Sequence, residues 1–225
     1  MSKNVKVLLL VGSPKSSSST SNSLGDYLIS RLEQLSLTVG KEYIYKLVRK
    51  EDGQKKLLTK VEEASMIILV FPLYIDCLPA GVIKALELIA DHRKSKKDRK
   101  KQGFAIIINC GFPESQQNNT AVAICKNFIR EVGFEWKGTL SLGMGGAIGG
   151  RSLEERGGMV RNVIKGLDLA AQALTEGKNI PDEAIELFGK KFIPISLYTK
   201  VGNIGWNKQA KKYGARKKIK DQPYL

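Results

Sequence analysis

Three short segments of this chain carry groups able to bind a ligand. The first begins where an apolar run, Val5-Lys6-Val7-Leu8-Leu9-Leu10-Val11, gives way to Gly12-Ser13-Pro14-Lys15. An almost all-hydroxyl stretch follows from Ser16 to Ser21 and ends at Asn22-Ser23. Leu24, Leu28, Ile29, Leu32 and Leu35 then recur at three- and four-residue steps, the period of a helix with one apolar face. A strand, a hydroxyl loop and a helix start together form an anion site. The helix's unpaired N–H groups and positive dipole end face the loop, hydroxyls donate to oxygen, and Lys15 adds charge. A phosphate matches that chemistry. The loop has neither Gly-x4-Gly-Lys-Ser/Thr nor Gly-x-Gly-x-x-Gly spacing, so it suits a terminal phosphomonoester better than a pyrophosphate, which needs close backbone approach. The alternative is a solvated linker capped by Asn22 or Ser23. The loop's position, directly after a buried strand, favours the phosphate.

The second segment is Phe71-Pro72-Leu73-Tyr74-Ile75-Asp76-Cys77-Leu78-Pro79-Ala80. Pro72 stops a strand, Leu73 offers an apolar edge and Tyr74 an aromatic face, while Pro79 stands where a helix tolerates proline. The third is Asn109-Cys110-Gly111-Phe112-Pro113-Glu114. Gly111 permits close backbone approach and Phe112 can stack on or wall a ligand. Taken singly, Tyr74 and Phe112 read equally well as loop packing. On one sheet edge with a phosphate loop they read as a slot for a planar ring. Gly143 to Gly150 follows a fifth strand and could approach that ring, meet a second subunit or form a lid.

The elements needed to position these loops alternate along the chain. Strands are expected near residues 3–11, 41–48, 66–71, 103–109 and 136–142, and helices near 23–35, 54–64, 80–92, 118–132 and 153–176. Met66 to Phe71 and Phe104 to Ile108 are apolar at every position. Such strands belong in a parallel sheet covered on both sides. The expected fold class is therefore α/β, a doubly wound five-stranded parallel sheet with helices on both faces. Residues 1–189 make up this domain. Residues 190–225, with Pro194, Gly202, Gly205 and Trp206, are expected to form an extended or irregular basic arm that packs on the domain or on a partner subunit.

Composition narrows the function classes. The 225 residues are 42% hydrophobic and 26% charged, ordinary values for one globular domain. No apolar run approaches the ~20 residues that a membrane span requires, and no signal-peptide pattern follows the first strand. Cys77, Cys110 and Cys125 lack Cys-x-x-Cys spacing, so neither a disulfide framework nor a metal site is expected. His92 is the single histidine, which leaves little material for a metal centre or a catalytic triad. The net charge of +15 concentrates in His92-Arg93-Lys94-Ser95-Lys96-Lys97-Asp98-Arg99-Lys100-Lys101 and in the tail from Lys208 to Lys220. Solvated surface, attraction of an anionic cosubstrate and nucleic-acid contact all fit such runs. With no RNA-binding aromatic signature and no helix-turn-helix pattern, the first is preferred.

At these motifs the chain resembles the flavodoxin-like NAD(P)H-dependent FMN reductases and quinone reductases. Gly12-Ser13-Pro14-Lys15 with Ser21-Asn22-Ser23-Leu24 is similar to that family's FMN phosphate loop. Phe71 to Asp76 with Leu78-Pro79-Ala80 is similar to its second flavin loop, and Asn109-Cys110-Gly111-Phe112 corresponds in order to the third. The resemblance spans roughly residues 3–176. Lys15 replaces the more frequent Arg, supplying a point charge instead of a fork, and the phosphate loop is slightly longer than usual. The resemblance implies a flavodoxin-like fold that binds FMN. The expected flavin-binding residues are Ser13, Lys15, Ser21, Asn22, Ser23, Pro72, Leu73, Tyr74, Ile75, Asp76, Asn109, Cys110, Gly111 and Phe112. It also implies hydride transfer from NAD(P)H through FMN to a quinone, flavin, nitro or azo acceptor, with no catalytic side chain and no metal. Backbone N–H groups around Ile75-Asp76 and Cys110-Gly111 are the candidates for stabilising reduced flavin. A cytoplasmic homodimer with a small-molecule electron acceptor is expected, with no membrane partner and no nucleic acid. Two rival readings are a flavodoxin-type electron carrier and a non-flavin protein binding phosphate or nucleic acid.

Overall fold

The computed structural model describes residues 6–96 and 100–222. Residues 3–5 of the first expected strand, Lys97, Asp98 and Arg99 of the basic run and Tyr224 of the tail lie outside the described residues. The chain divides into two units, Met1–Phe192 and Ile193–Leu225.

In the first unit five strands, β1 (Lys6–Val11), β2 (Thr38–Tyr43), β3 (Met66–Pro72), β4 (Gly103–Asn109) and β5 (Glu135–Leu142), form one sheet in the order β2-β1-β3-β4-β5. Every neighbouring pair is parallel. Alternation along each strand feeds two cores. Leu8, Leu10, Ile67, Leu69 and Ile106 face one side. Val7, Leu9, Ile68, Val70 and Ile107 face the other.

Eight α-helices are described: α1 (Thr20–Gln34), α2 (Ile44–Leu47), α3 (Glu51–Glu63), α4 (Ala80–Lys94), α5 (Asn119–Val132), α6 (Arg161–Thr175), α7 (Asp182–Gly189) and α8 (Ile195–Lys212). The first core is closed by Leu57 of α3, Ile89 of α4 and Ile129 of α5. The second is closed by Leu28 of α1, Leu167 of α6 and Phe188 of α7. A bond from the Tyr27 hydroxyl to Asp168 at 2.9 Å, with Arg31 paired to the same carboxylate at 2.8 Å, ties α1 to α6.

Several boundaries differ from expectation for local reasons. Helix α1 begins at Thr20, earlier than residue 23, because the Ser19 hydroxyl accepts the Asn22 N–H at 3.1 Å and caps the first turn. Asn22 and Ser23 therefore lie inside the helix and do not cap it. Residues 44–47 are helical, not strand: Ile44 and Leu47 are both buried in the same core, which a three-residue spacing achieves only on a helix. The helix expected over 153–176 is split. Glu154–Val160 forms 3₁₀ turns broken at Gly157, whose φ of 55° leaves the helical region, and α6 follows. Helix α7 was not anticipated; Pro181 precedes it, Asp182 and Glu183 sit at its positive end, and Ala184 and Phe188 bury one face.

The first basic run is not uniformly solvated. Arg93 is buried, donating to the carbonyl oxygens of Val132 (3.3 Å), Lys100 (3.2 Å) and Gly133 (3.3 Å) and to the side chain of Gln102. Its guanidinium lies 4.0 Å over the Phe134 ring. His92 and Lys96 both pair with Glu62.

In the second unit α8 replaces the expected irregular arm. Pro194 stands just before its first turn, at the cap position, with φ −55° and ψ 134°. Gly202 and Gly205 each cost about 1 kcal/mol relative to alanine, and both lie inside the helix. No residue of α8 is buried.

Removing the Arg93 side chain strips hydrogen-bond partners from several buried carbonyls at once. Urea unfolding of Arg93→Ala should show a loss of about 2–4 kcal/mol, against less than ~0.5 kcal/mol for Lys94→Ala, the exposed neighbour.

Candidate functional site

Strand β1 lies between β2 and β3, so the chain leaves it in one direction and returns on the other side. At that reversal of strand order the loops after β1 and β3 diverge and leave a crevice. Gly12 extends β1 toward the crevice, its N–H bonded to Val70 O at 2.8 Å. A Cβ there would stand 2.4 Å from Val82 Cγ2 and 2.9 Å from Phe71 Cβ, so only glycine lets the loop turn this close to β3.

The serine loop is folded rather than slack. Ser16 N–H bonds Ser13 O at 3.0 Å, Ser18 N–H bonds Lys15 O at 3.1 Å, and a 3₁₀ turn spans Ser16–Ser18. Ser19 is fully engaged: its hydroxyl donates to Ser16 O at 2.7 Å while accepting from Asn22 N–H. Thr20 donates to Gly145 O at 2.8 Å, anchoring this loop to the one after β5. Ser13 and Ser21 accept, from Lys15 N–H at 3.3 Å and Asn109 Nδ2 at 2.8 Å respectively. Among the described residues the hydroxyl hydrogens of Ser13, Ser18 and Ser21 have no acceptor, so these three can donate to a ligand.

Asn109 is the clamp of the site. Its side-chain amide donates to Ser21 Oγ and also, at 3.2 Å, to Phe71 O, while its backbone carbonyl accepts Leu73 N–H at 2.8 Å. One residue at the end of β4 thereby positions the first and second loops. The glycine loop closes the other side. Gly150 has φ +77°, and a Cβ on it would lie 2.6 Å from Ser18 O, so the two loops touch through backbone.

These contacts enclose an open cleft of about 250 Å³. The first loop contributes Ser13, Lys15 and Ser18 through Ser21; β3 contributes Pro72 and its loop Tyr74; β4 contributes Asn109; the loop after β5 contributes Gly146 and Gly149. Thr20 and Ser21 open α1, so their N–H groups have no carbonyl within the helix to bond. Burial, with Tyr45 nearby, pushes the Tyr74 hydroxyl above its ordinary range and keeps the ring neutral. The cleft thus joins an anion cradle to an aromatic edge.

Other residues expected here are placed elsewhere. Asn22 donates to Asp26 at 2.7 Å and accepts from the Tyr43 hydroxyl at 2.9 Å, and with Ser23 it lines a separate groove. Leu73 and Cys110 are buried beneath the loops. The Cys110 N–H donates to Leu142 O at 2.9 Å and so cannot serve a ligand, contrary to expectation. Gly111 and Phe112 are exposed on the loop after β4. Ile75 and Asp76 form the centre of a two-residue turn closed by Tyr74 N–H to Cys77 O (2.9 Å) and Cys77 N–H to Tyr74 O (3.0 Å). Both have positive φ, 47° and 57°. That is a type I′ turn built without glycine, and a β-branched residue there carries about 1–3 kcal/mol of strain. Ser18, Ser19 and Thr20 line the cleft although only the hydroxyl run as a whole pointed to them. Gly146 and Gly149 were legible only as one option for the glycine stretch.

No family model and no curated protein matches the chain. Solved structures do. A flavodoxin of Streptococcus pneumoniae TIGR4 is 14% identical, with 77% of this chain and 99% of that one covered at a TM-score of 0.52. The fold is flavodoxin-like. An FMN-dependent NADH-azoreductase of Bacillus anthracis, solved with FMN, is 14% identical over 76% of this chain and 99% of its own, again at 0.52. The Trp repressor binding protein of Bacillus subtilis is 11% identical over 74% and 98%, also at 0.52. Within this flavodoxin-like fold the cleft occupies the switch point of the sheet.

Burial separates the three thiols. Cys77 is half-buried, whereas burial pushes the Cys110 thiol up and that of Cys125 to about 12. A raised thiol stays protonated and unreactive below its pKa. With a maleimide at pH 8, mass spectrometry should show one fast label on Cys77. Cys110 and Cys125 should react only after unfolding.

Proposed function

We propose that the protein is an FMN-dependent oxidoreductase that takes hydride from NAD(P)H and passes electrons to a quinone, flavin or other small acceptor. The observation that carries this reading is the meeting, in one cleft at the switch point, of an anion cradle with an aromatic edge. The Bacillus anthracis azoreductase of the same fold, solved with FMN, supports that cofactor.

The residues present fit the group. Ser13, Ser18 and Ser21 each offer a hydroxyl hydrogen, Lys15 a positive charge and the start of α1 its N–H groups to the terminal phosphate. Pro72 and Tyr74 flank a planar ring, and the Gly146–Gly149 backbone lets it lie close to the chain. Bound there, FMN supplies the hydride and electron transfer. The side chains then have only to hold the ring, shield one face and leave the other open to the two substrates in turn. No acid or base is needed in the cleft. Accordingly His92 sits near the end of α4, about 20 Å along the helix from the β3 loop, and bonds Glu62.

The loops after β3 and β4 leave Tyr74, Ile75 and Phe112 exposed by 43%, 98% and 51%. A homodimer whose partner covers this rim would account for large apolar groups standing in water.

The purified protein, mixed with FMN and freed of excess, should be yellow and should bleach when NADPH is added without oxygen. Ser21→Ala and Lys15→Ala should each weaken FMN binding by about tenfold or more, the range for a hydrogen bond to a charged group. A yellow protein that does not bleach would instead be an electron carrier. One that stays colourless after FMN treatment overturns the flavin reading.

A further inference from the structure

At its C-terminal end α8 meets a segment that folds back on it. Tyr213 ends the helix, and Gly214, with φ +67°, turns the chain. Ala215 N–H then bonds Ala210 O at 2.8 Å, and a 3₁₀ turn follows over Arg216–Lys218. On the helix, Trp206, Ala210 and Tyr213 recur at four- and three-residue steps and so share one side. The returning segment sets Ala215 and Ile219 against that side, leaving an open notch of about 320 Å³ that Gln209 also lines. Its two aromatic rings stand in water: Trp206 is 71% exposed and Tyr213 70%.

Positive charge borders the notch. Arg216, Lys217 and Lys218 lie between two of its lining residues, and Lys212 Nζ stands 5.7 Å from the centre of the Tyr213 ring. From Lys208 to Lys220 every charged residue is a cation, and among the described residues none has a carboxylate within ion-pair distance. Cations crowded in this way repel one another, and an external anion removes that cost.

A ligand that fits must be planar and must carry negative charge a short distance from the plane. A nucleobase with its phosphates has that form. Gln209 adds a donor and an acceptor, the groups that base edges pair with. An acidic peptide supplies the charge without the plane. A bilayer surface does not fit, since Leu197, Val201 and Ile204 share the side of α8 that carries Lys200, Lys208 and Lys211, opposite Trp206 and Tyr213. A second copy of the chain would bring like charges together.

We infer that residues 206–220 bind single-stranded nucleic acid, with an unpaired base stacked in the notch and its phosphates on Lys212, Arg216, Lys217 and Lys218. A duplex keeps its bases stacked on one another and offers none to the rings. The expectation of no nucleic acid came from the linear sequence, which holds no RNA-binding aromatic signature. Trp206, Tyr213 and Ile219 line one notch only because the chain doubles back at Gly214. The inference stands on the second unit alone and is independent of the flavin reading.

Fluorescence anisotropy of labelled oligo-dT and oligo-U, titrated with the full chain at low salt, should rise and saturate. The logarithm of the binding constant should fall against that of the salt concentration with a slope of roughly −3, from about 0.7 per phosphate held. Replacing Lys217 and Lys218 together by Gln should reduce the size of that slope by roughly 1.4. Trp206→Ala should weaken binding by about tenfold or more, whereas Trp206→Phe, which keeps a ring, should retain most of it. Circular dichroism should be unchanged in both, because Trp206 is exposed. No binding of single strands at low salt, or a Trp206→Ala variant that binds as tightly as the unaltered chain, overturns the inference. So does a DNA duplex or polyglutamate bound as tightly as the single strands, which would leave charge alone as the cause.

Discussion

Strands β1, β3 and β4 are apolar on both faces, and a strand of that kind can exist in water only if helices cover it on both sides. That constraint leaves the helices little freedom: α3, α4 and α5 must present leucine, valine and isoleucine to one core, and α1, α6 and α7 to the other. It also decides where chemistry can occur. With both faces sealed by packing, polar groups able to meet a ligand are confined to the strand ends. The reversal of strand order beside β1 opens the edge where loops separate. The cleft is thus a consequence of the sheet rather than an addition to it.

Within the cleft a few side chains convert separate loops into one surface. Asn109 ties Ser21 to the end of β3, and Thr20 ties the serine loop to Gly145. These bonds are buried or partly buried: Thr20 spends its hydroxyl hydrogen on Gly145 O, whereas Ser21 only accepts from Asn109 and is oriented with its hydrogen still free to donate. A run of similar serines becomes differentiated in this way. Ser19 is structural, while Ser13, Ser18 and Ser21 keep a hydrogen to donate. The strained Ile75-Asp76 turn beside the cleft shows the second loop held by its surroundings in a shape its residues would not choose.

Charge behaves differently in the two units. Near α4 part of the basic run is taken up by the fold: Arg93 is buried against Phe134 and backbone carbonyls, and Glu62 gathers His92 and Lys96. In the tail, among the described residues, no cation from Lys208 to Lys220 has a carboxylate within ion-pair distance, and Trp206, Tyr213 and Ile219 stand exposed. Similar stretches of sequence therefore carry different meaning, and only the presence or absence of carbonyls and carboxylates around them separates the two.

The amino-acid sequence alone determined the sheet. Unbroken apolar runs at 66–71 and 104–108 admit almost no reading but buried parallel strands, and the strand–loop–helix pattern at Gly12 to Leu24 marks an anion site because its cause is local. Tertiary structure decided what depends on neighbours distant in the chain. The start of α1 was set by a cap at Ser19, and Ile44 and Leu47 became helical to reach one core. Asn22 turned to Asp26 and Tyr43, the Cys110 N–H was claimed by Leu142, and Gly150 was brought against Ser18. None of those partners can be read from spacing, because each lies on another element and is supplied only when the sheet has brought the elements together. Helix α8 was hidden for the opposite reason: its glycines and proline read locally as irregular, and a helix that buries nothing leaves no apolar periodicity against a core to reveal it.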